Sequence, residues 1–179
     1  MERVTLEVTA ATGAELPELA AVAAATFPLA CPPSVTPENV TAFIDDNLTQ
    51  THFAGYLNDP ERLILVARRD GRITGYAMLV RGVPDDDAVQ QAVTVRPAVE
   101  ISKMYVLPDS HGKGASAALM AEVLHRAPDL DAKSVWLGVN QNNQRAQRFY
   151  AKHGFTVSGT KTFRLGTRIE NDYVMARPV

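Results

Sequence analysis

The stretch between Glu100 and Ser116 carries the signals of a strand, a turn and a helix, and it reads EISKMYVLPDSHGKGAS. Its first half is rich in β-branched, aromatic and aliphatic residues, a composition typical of a strand. Pro108 ends that strand because it has no N–H for the ladder. Gly112 and Gly114 follow, and apolar residues then recur at helical spacing. The stretch therefore predicts a strand, a glycine-rich turn and the start of a helix.

A glycine-rich turn at the start of a helix can bind an anion, because its backbone approaches a ligand closely and its N–H groups point outward. A P-loop would need a lysine after its second glycine, whereas Lys113 lies between the glycines. A dinucleotide fingerprint would follow the first strand of the fold, whereas this turn lies deep in the chain. An ordinary strand-to-helix connection and a phosphate-binding turn of another kind are the interpretations that stay open.

The rest of the chain supplies further strands and helices. Predicted strands cover residues 4–8, 63–68, 73–80, 99–107, 134–140, 155–165 and 172–175. Predicted helices cover residues 13–27, 36–48, 112–126 and 143–153, with a short extra helix at 50–57 and a loop at 82–95. The order β-α-α-β-β-β-α-β-α-β-β predicts an α/β (α+β) fold with a mixed sheet flanked by helices.

Length and composition limit the classes of function. A chain of 179 residues with 46% hydrophobic residues predicts a single domain over residues 1–179. The net charge of -2 argues against a nucleic-acid partner, and no apolar run reaches the roughly 18 residues of a membrane span. A single cysteine, Cys31, suits a reducing cytoplasm. No cluster of residues has metal-ligand spacing, so no metal is expected.

A second motif runs from Asn140 to Phe155 and reads NQNNQRAQRFYAKHGF. On a helix, Ala146 and Tyr150 share one face with the aromatic residue between them. Asn143 precedes that helix and can cap its first turn. A capped helix that docks an aromatic pair into the core is the simplest interpretation of this pattern.

The second motif closely resembles the consensus Asn-x-x-Ala-x-x-Phe/Leu-Tyr-x-Lys-x-Gly-Phe of the GNAT acetyltransferases. The matching residues are Asn143, Ala146, Phe149, Tyr150, Lys152, Gly154 and Phe155. The glycine turn resembles the acyl-CoA turn of the same family, with His111 at its first position and Ser116 at its last. The predicted order of elements resembles the GNAT fold, and within the family the chain is most similar to bacterial polyamine (spermidine-type) N-acetyltransferases.

The resemblance implies acetyl-CoA as cosubstrate and a role for each motif residue. The backbone of Met104, Tyr105 and Val106 would hold the pantetheine arm like an added strand. The amides of the turn would bind the pyrophosphate, and the turn residues are His111, Gly112, Lys113, Gly114, Ala115 and Ser116. Asn143 would contact the pantetheine arm, and Tyr150 would be the general acid that protonates the leaving thiolate.

The acceptor is expected to be a small primary amine. A base would deprotonate it, and acidic residues would bind it. Glu100 is the predicted base, and strand alternation without a bulge would place it on one face with Ser102, Met104 and Val106. Asp45 and Asp46 are predicted to bind a cationic acceptor, because the region 36–62 is acidic and borders the acceptor site in the family. A homodimer is compatible with the family. A protein or peptide N-terminus as acceptor, and a CoA-binding sensor without catalysis, are the alternatives.

Overall fold

The sheet in this computed structural model has seven strands in the order β1-β2-β3-β4-β5-β7-β6. The structure describes residues 6–110 and 114–179. The strands are β1 (Leu6–Ala10), β2 (Arg62–Arg69), β3 (Arg72–Arg81), β4 (Ala98–Val106), β5 (Ser134–Asn140), β6 (Thr156–Leu165) and β7 (Arg168–Pro178). The helices are α1 (Leu16–Ala30), α2 (Pro37–Asn47), α3 (Gln50–Asn58), α4 (Asp87–Ala92), α5 (Ala115–Arg126) and α6 (Gln144–Lys152). The predicted α/β fold, a mixed sheet flanked by helices, is confirmed.

Both faces of the sheet are covered, because the central strands are apolar on each side. One core cluster packs α5 against the sheet through Leu119, Met120 and Val123. The other packs α1 and α3 against the opposite face through residues such as Leu19 and Phe53. This two-sided burial explains why β2 and β3 read as continuous apolar runs.

The predicted loop at residues 82–95 is wrong in part, because it contains helix α4. The Asp86 carboxylate caps that helix by accepting a hydrogen bond from the Val89 N–H at 3.1 Å. Val89 and Ala92 are buried in a small cluster with Trp136. With six residues, α4 is too short to show helical periodicity, and the run of aspartates hid its cap.

A β-bulge in β4 overturns the predicted alternation of its side chains. Met78 of β3 pairs with Lys103, whereas the next residue, Leu79, pairs with Ile101, so that Ser102 is an extra residue on β4. Met104 and Val106 therefore pack on the α5 side with Ile101, not on the face of Glu100. The face of Glu100 continues through Lys103 and Tyr105 on the α1 side.

The parallel strands β4 and β5 separate soon after they begin. Their pairing covers Ala98 with Ser134, Val99 with Val135 and Glu100 with Trp136, and it ends there. Beyond Glu100, strand β4 keeps its pairing with β3, while β5 pairs with β7 instead. The gap that opens between the two strands is the centre of the candidate site.

Candidate active site

Two cavities occupy the gap between β4 and β5. The hairpin-side cavity, about 400 Å³, is bounded by the β6–β7 hairpin and by the ends of α1 and α2. The helix-side cavity, about 350 Å³, reaches Ser116 of α5 and Arg145 of α6. The cavities share the lining residues Ala30, Met104, Tyr105, Asn143, Ala146 and Tyr150. A ligand could therefore extend from one cavity into the other past these shared residues.

Tyr150 stands at the junction because α6 directs one face toward the gap. Its ring lies 5.5 Å from the Phe149 ring and 6.0 Å from the Phe155 ring, both in edge-on arrangements. Burial raises the pKa of Tyr150 to about 12, so its hydroxyl keeps its proton at neutral pH. A protonated phenol between two cavities can donate a hydrogen bond to a ligand atom in either of them.

Asn143 caps α6 as its sequence position predicts. Its Oδ1 accepts a hydrogen bond from the Ala146 N–H at 3.1 Å, which satisfies one of the unpaired donors of the first turn. The same residue lines both cavities. The cap thus fixes the start of the helix that carries Tyr150.

Glu100 lies in the hairpin-side cavity, half-buried on β4. Burial raises its pKa, and the nearby cations Lys161, Lys103 and Arg62 lower it in part. Burial likewise lowers the pKa of Lys103 to about 8, against the opposing charge of Glu100. A carboxylate with a raised pKa is a stronger base than an exposed one, and a lysine near pKa 8 is partly neutral at physiological pH.

Lys161 and Asp172 form the far wall of the hairpin-side cavity. They pair across β6 and β7, and Lys161 Nζ lies 3.4 Å from Asp172 Oδ2. Burial raises the pKa of Asp172, and Lys161 opposes that rise through its charge and a hydrogen bond. Gly138 of β5 leaves room for this pair, since a Cβ there would lie 3.2 Å from Asp172 Oδ2 and would also meet the Lys161 side chain.

Several cavity residues were missed by the sequence prediction. Lys103, Lys161, Glu170 and Asp172 supply charge, and Phe27, Phe43 and Phe163 supply an aromatic wall. A period of two in the hairpin could have indicated part of this set, because Lys161 and Phe163 share a face and so do Glu170 and Asp172. Their arrangement opposite α1 and α2 has no local signal.

The predicted site residues fall into three groups. Glu100, Met104, Tyr105, Asn143 and Tyr150 meet at the cavities, and Val106 and Ser116 line the helix-side cavity. Asp45 and Asp46 are exposed on α2, outside the lining of both cavities.

The turn is described only in part. His111, Gly112 and Lys113 lie outside the described residues. Gly114 caps α5 in the left-handed region, with φ of 86°, where glycine is favoured. Ala115 is buried directly after it, in the first turn of α5. A helix follows the turn as predicted, but it begins at Ala115 instead of residue 112, because Gly114 is its cap. The pyrophosphate contact stays a prediction.

A model described as the acetyltransferase (GNAT) family matches residues 25–155. The chain belongs to the GNAT acetyltransferase family. An uncharacterized N-acetyltransferase of Mycobacterium tuberculosis (strain H37Rv) is 61% identical over 160 residues, which cover 89% of this chain and 95% of the relative.

Solved structures share the GNAT fold at low sequence identity. The PaiA N-acetyltransferase of Thermoplasma acidophilum, determined in complex with coenzyme A, has a TM-score of 0.77 at 17% identity and covers 98% of this chain and 99% of its own. The ribosomal-protein-S18-alanine N-acetyltransferase of Escherichia coli has a TM-score of 0.69 at 15% identity, with 98% and 94% covered. These likenesses show the fold. The family model and the 61% identical relative make the chain a GNAT N-acetyltransferase, of a family that uses acetyl-CoA.

Among residues 6–110 and 114–179, no three His, Cys, Asp or Glu side chains are grouped to hold a metal ion. Within the same ranges, no helix is both long and apolar enough to cross a bilayer.

Proposed function

We propose that this enzyme acetylates a primary amine of a small cationic acceptor, with a polyamine as the leading candidate. The observation that carries the proposal is the hairpin-side cavity, which joins Tyr150 and Glu100 to two buried acidic residues, Glu170 and Asp172. Its volume of about 400 Å³ lies in the range of small-molecule sites. The cavity wall carries these three carboxylates against two lysines, Lys103 and Lys161. The excess of negative charge favours a cationic acceptor over an anionic one.

The helix-side cavity fits the pantetheine arm of acetyl-CoA. Beyond Glu100, β4 no longer pairs with β5. The backbone of Met104 and Tyr105 can therefore pair with an extended ligand on that edge. The N-terminus of α5 at Gly114 favours a phosphate through its free amides and its dipole. Acetyl-CoA supplies the activated acetyl group, as a thioester.

Glu100 would prepare the nucleophile. An alkylammonium has a pKa near ~10.4 and must lose a proton before its nitrogen can attack. The Glu100 carboxylate, whose pKa is raised by burial, would take that proton directly or through water. The neutral nitrogen then forms a bond to the acetyl carbon, and the carbon–sulfur bond breaks.

Tyr150 would assist the leaving sulfur. Complete proton transfer from a phenol of pKa about 12 to a thiolate whose conjugate thiol has a pKa of ~8.5 is uphill at equilibrium. The hydroxyl would therefore first stabilise the sulfur by a hydrogen bond. It would then pass its proton to the sulfur as its oxygen receives the second proton of the nitrogen, so that CoA leaves as the thiol and Tyr150 is again a phenol. A positioned donor of this kind is worth about 10²–10⁴-fold in rate.

Release of CoA thiol from acetyl-CoA tests the proposal against a panel of polyamines, monoamines, amino acids and peptides with a free N-terminus. Polyamines should give the highest kcat/KM. A clear preference for peptides would replace the proposed acceptor by a protein N-terminus. Tight CoA binding without turnover on the whole panel would contradict the proposal.

A cytoplasmic location and a homodimer stay predictions from the sequence. Gel filtration with light scattering tests whether the protein is a homodimer.

A further inference from the structure

Glu170 has a buried oxygen whose hydrogen-bonding capacity is unused. The residue is 8% exposed and lines the hairpin-side cavity from β7. Its Oε1 makes no hydrogen bond to any part of the chain that the structure describes. Arg168 Nε lies 3.4 Å from the same oxygen but is not aligned for a hydrogen bond, and the Arg168 side chain is 47% exposed. A buried carboxylate oxygen without a hydrogen bond is costly, which indicates a site for a donor that is not part of the chain.

The other carboxylates of the cavity already have cationic neighbours. Asp172 pairs with Lys161, and Glu100 lies in the field of Lys161, Lys103 and Arg62. Glu170 differs because the cation that pairs with it in the described part of the chain, Arg168, is half exposed, so the pair is weak. The neighbouring charge of Asp172 is negative. Glu170 is the wall residue with most capacity for a further cation.

An aromatic ring lies beside Glu170, and two more rings extend from it. Phe163 is its partner across the β6–β7 ladder. Phe43 contacts Phe163 edge-on at 5.6 Å, and Phe27 stacks on Phe43 at 4.4 Å. Lys161 Nζ lies 5.6 Å from the Phe163 ring centre, so a ring of this wall already takes part in a cation–π contact. A carboxylate beside aromatic rings is a combination that recognises an alkylammonium.

We propose that Glu170, with Phe43 and Phe163, binds a second cationic group of the acceptor, while the reacting amine lies between Glu100 and Tyr150. This inference rests on the proposed function. It makes the substrate an amine with two separate positive charges, and it assigns selection of the second charge to the β6–β7 hairpin. The exposed Asp45 and Asp46 would then have no direct contact with the bound acceptor.

The test compares cadaverine with pentylamine, which has the same chain and one amine fewer. Glu170→Gln keeps the shape of the side chain and removes its charge. Thiol-release kinetics should show that kcat/KM for cadaverine falls about 10- to 100-fold more than kcat/KM for pentylamine, the size expected for a hydrogen bond to a charged group. The loss should lie mainly in KM. Glu38 is an exposed glutamate on α2, so Glu38→Gln is the matched control. It should not change the ratio of kcat/KM for cadaverine to kcat/KM for pentylamine.

An equal loss with both amines, or no loss with cadaverine, would overturn the assignment. If Glu170→Gln fails to fold, Phe163→Leu tests the same subsite. It should lower the ratio of kcat/KM for cadaverine to kcat/KM for pentylamine, by a smaller factor than Glu170→Gln. Calorimetric titration with cadaverine separates this inference from the proposed function. If the wild type binds cadaverine without acetylating it and Glu170→Gln does not bind it, the subsite stands and the proposed reaction fails. If the wild type does not bind cadaverine, the subsite is wrong.

Discussion

The two cavities differ in how their residues are distributed along the chain. The helix-side cavity is lined mainly from β4, the start of α5 and α6, between Met104 and Tyr150. The end of α1 borders both cavities. The hairpin-side cavity adds α2 and the β6–β7 hairpin, so that residues as distant in sequence as Phe43 and Glu170 meet there. The first cavity would receive a cosubstrate common to the whole family, and the second an acceptor particular to this enzyme. Local motifs therefore describe the first, and only tertiary packing assembles the second.

The largest expected effect comes from Tyr150, one of the six described residues that line both cavities. Tyr150→Phe removes a hydroxyl and keeps the ring, so kcat should fall by about 10²-fold while the affinity for acetyl-CoA stays similar. Steady-state thiol release and calorimetry with CoA measure the two quantities. Tyr56→Phe is a matched control, because that hydroxyl donates to the Asn47 carbonyl oxygen at 2.8 Å outside both cavities. Unchanged kcat in Tyr150→Phe would reassign the residue to packing.

Glu100→Gln tests whether the base belongs to the acceptor side. At neutral pH kcat/KM should fall about 10- to 100-fold. The variant would depend on amine that is already neutral, so its rate should climb about tenfold per pH unit toward the amine pKa of ~10.4. The wild type should instead level off above the raised pKa of Glu100. Parallel pH profiles for the two proteins would exclude Glu100 as the base.

Thermal melting separates this loss of activity from misfolding. Because burial raises the pKa of Glu100 in the folded state, its contribution to stability is lost as pH rises from its unfolded value of ~4.3 through the folded value. At neutral pH the ionised carboxylate is therefore a cost to folding. Glu100→Gln should melt no lower than the wild type at pH 7.

A smaller effect is expected from the far wall of the hairpin-side cavity. Gly138→Ala would displace Lys161 from Asp172, since the added Cβ meets both side chains. The KM for the acceptor should rise on the order of tenfold, with the KM for acetyl-CoA less affected. Gly55→Ala, in open space on α3, is the control and should leave both constants near the wild-type values. Equal changes in both KM values would show that the two cavities are not separable.

The smallest effect is expected at α2. Asp45→Asn and Asp46→Asn remove exposed charges, so each should raise the KM for a polyamine by less than about fivefold, and salt should weaken the effect. Kinetics with cadaverine at low and high ionic strength measure it. A larger change than that of Glu170→Gln would return selection of the acceptor to α2, as the sequence alone predicts.

The predictable part of the molecule is the part with local signals. The cap at Asn143, the glycine at the start of α5 and the aromatic face of α6 each follow from spacing over a few residues. The hairpin strands were also predicted, although their side chains could not be assigned to a cavity, because a strand pattern does not say what lies opposite. Glu170 can be identified as a candidate site residue only from the tertiary structure, which buries it beside α1 and α2.

Strand β4 shows a different limit of prediction. Its sequence correctly predicts a strand, but alternation assigns some of its side chains to the wrong face of the sheet. Alternation assigns Met104 to the face of Glu100, and the extra residue Ser102 reverses that assignment. Neighbouring strands decide whether a bulge forms, so a single strand cannot reveal it.

The bulge at Ser102 also has a consequence for how this enzyme tolerates change. It sets the phase of β4, so that Glu100 faces the hairpin-side cavity together with Lys103 and Tyr105, while Met104 packs against the core on the α5 side. Substitutions along the strand alter one side chain at a time. Loss or gain of a single residue would instead turn every downstream side chain to the opposite face, exchanging core for cavity. Divergence of β4 within the family should therefore proceed by replacement at fixed length, whereas the loops around it can vary in length.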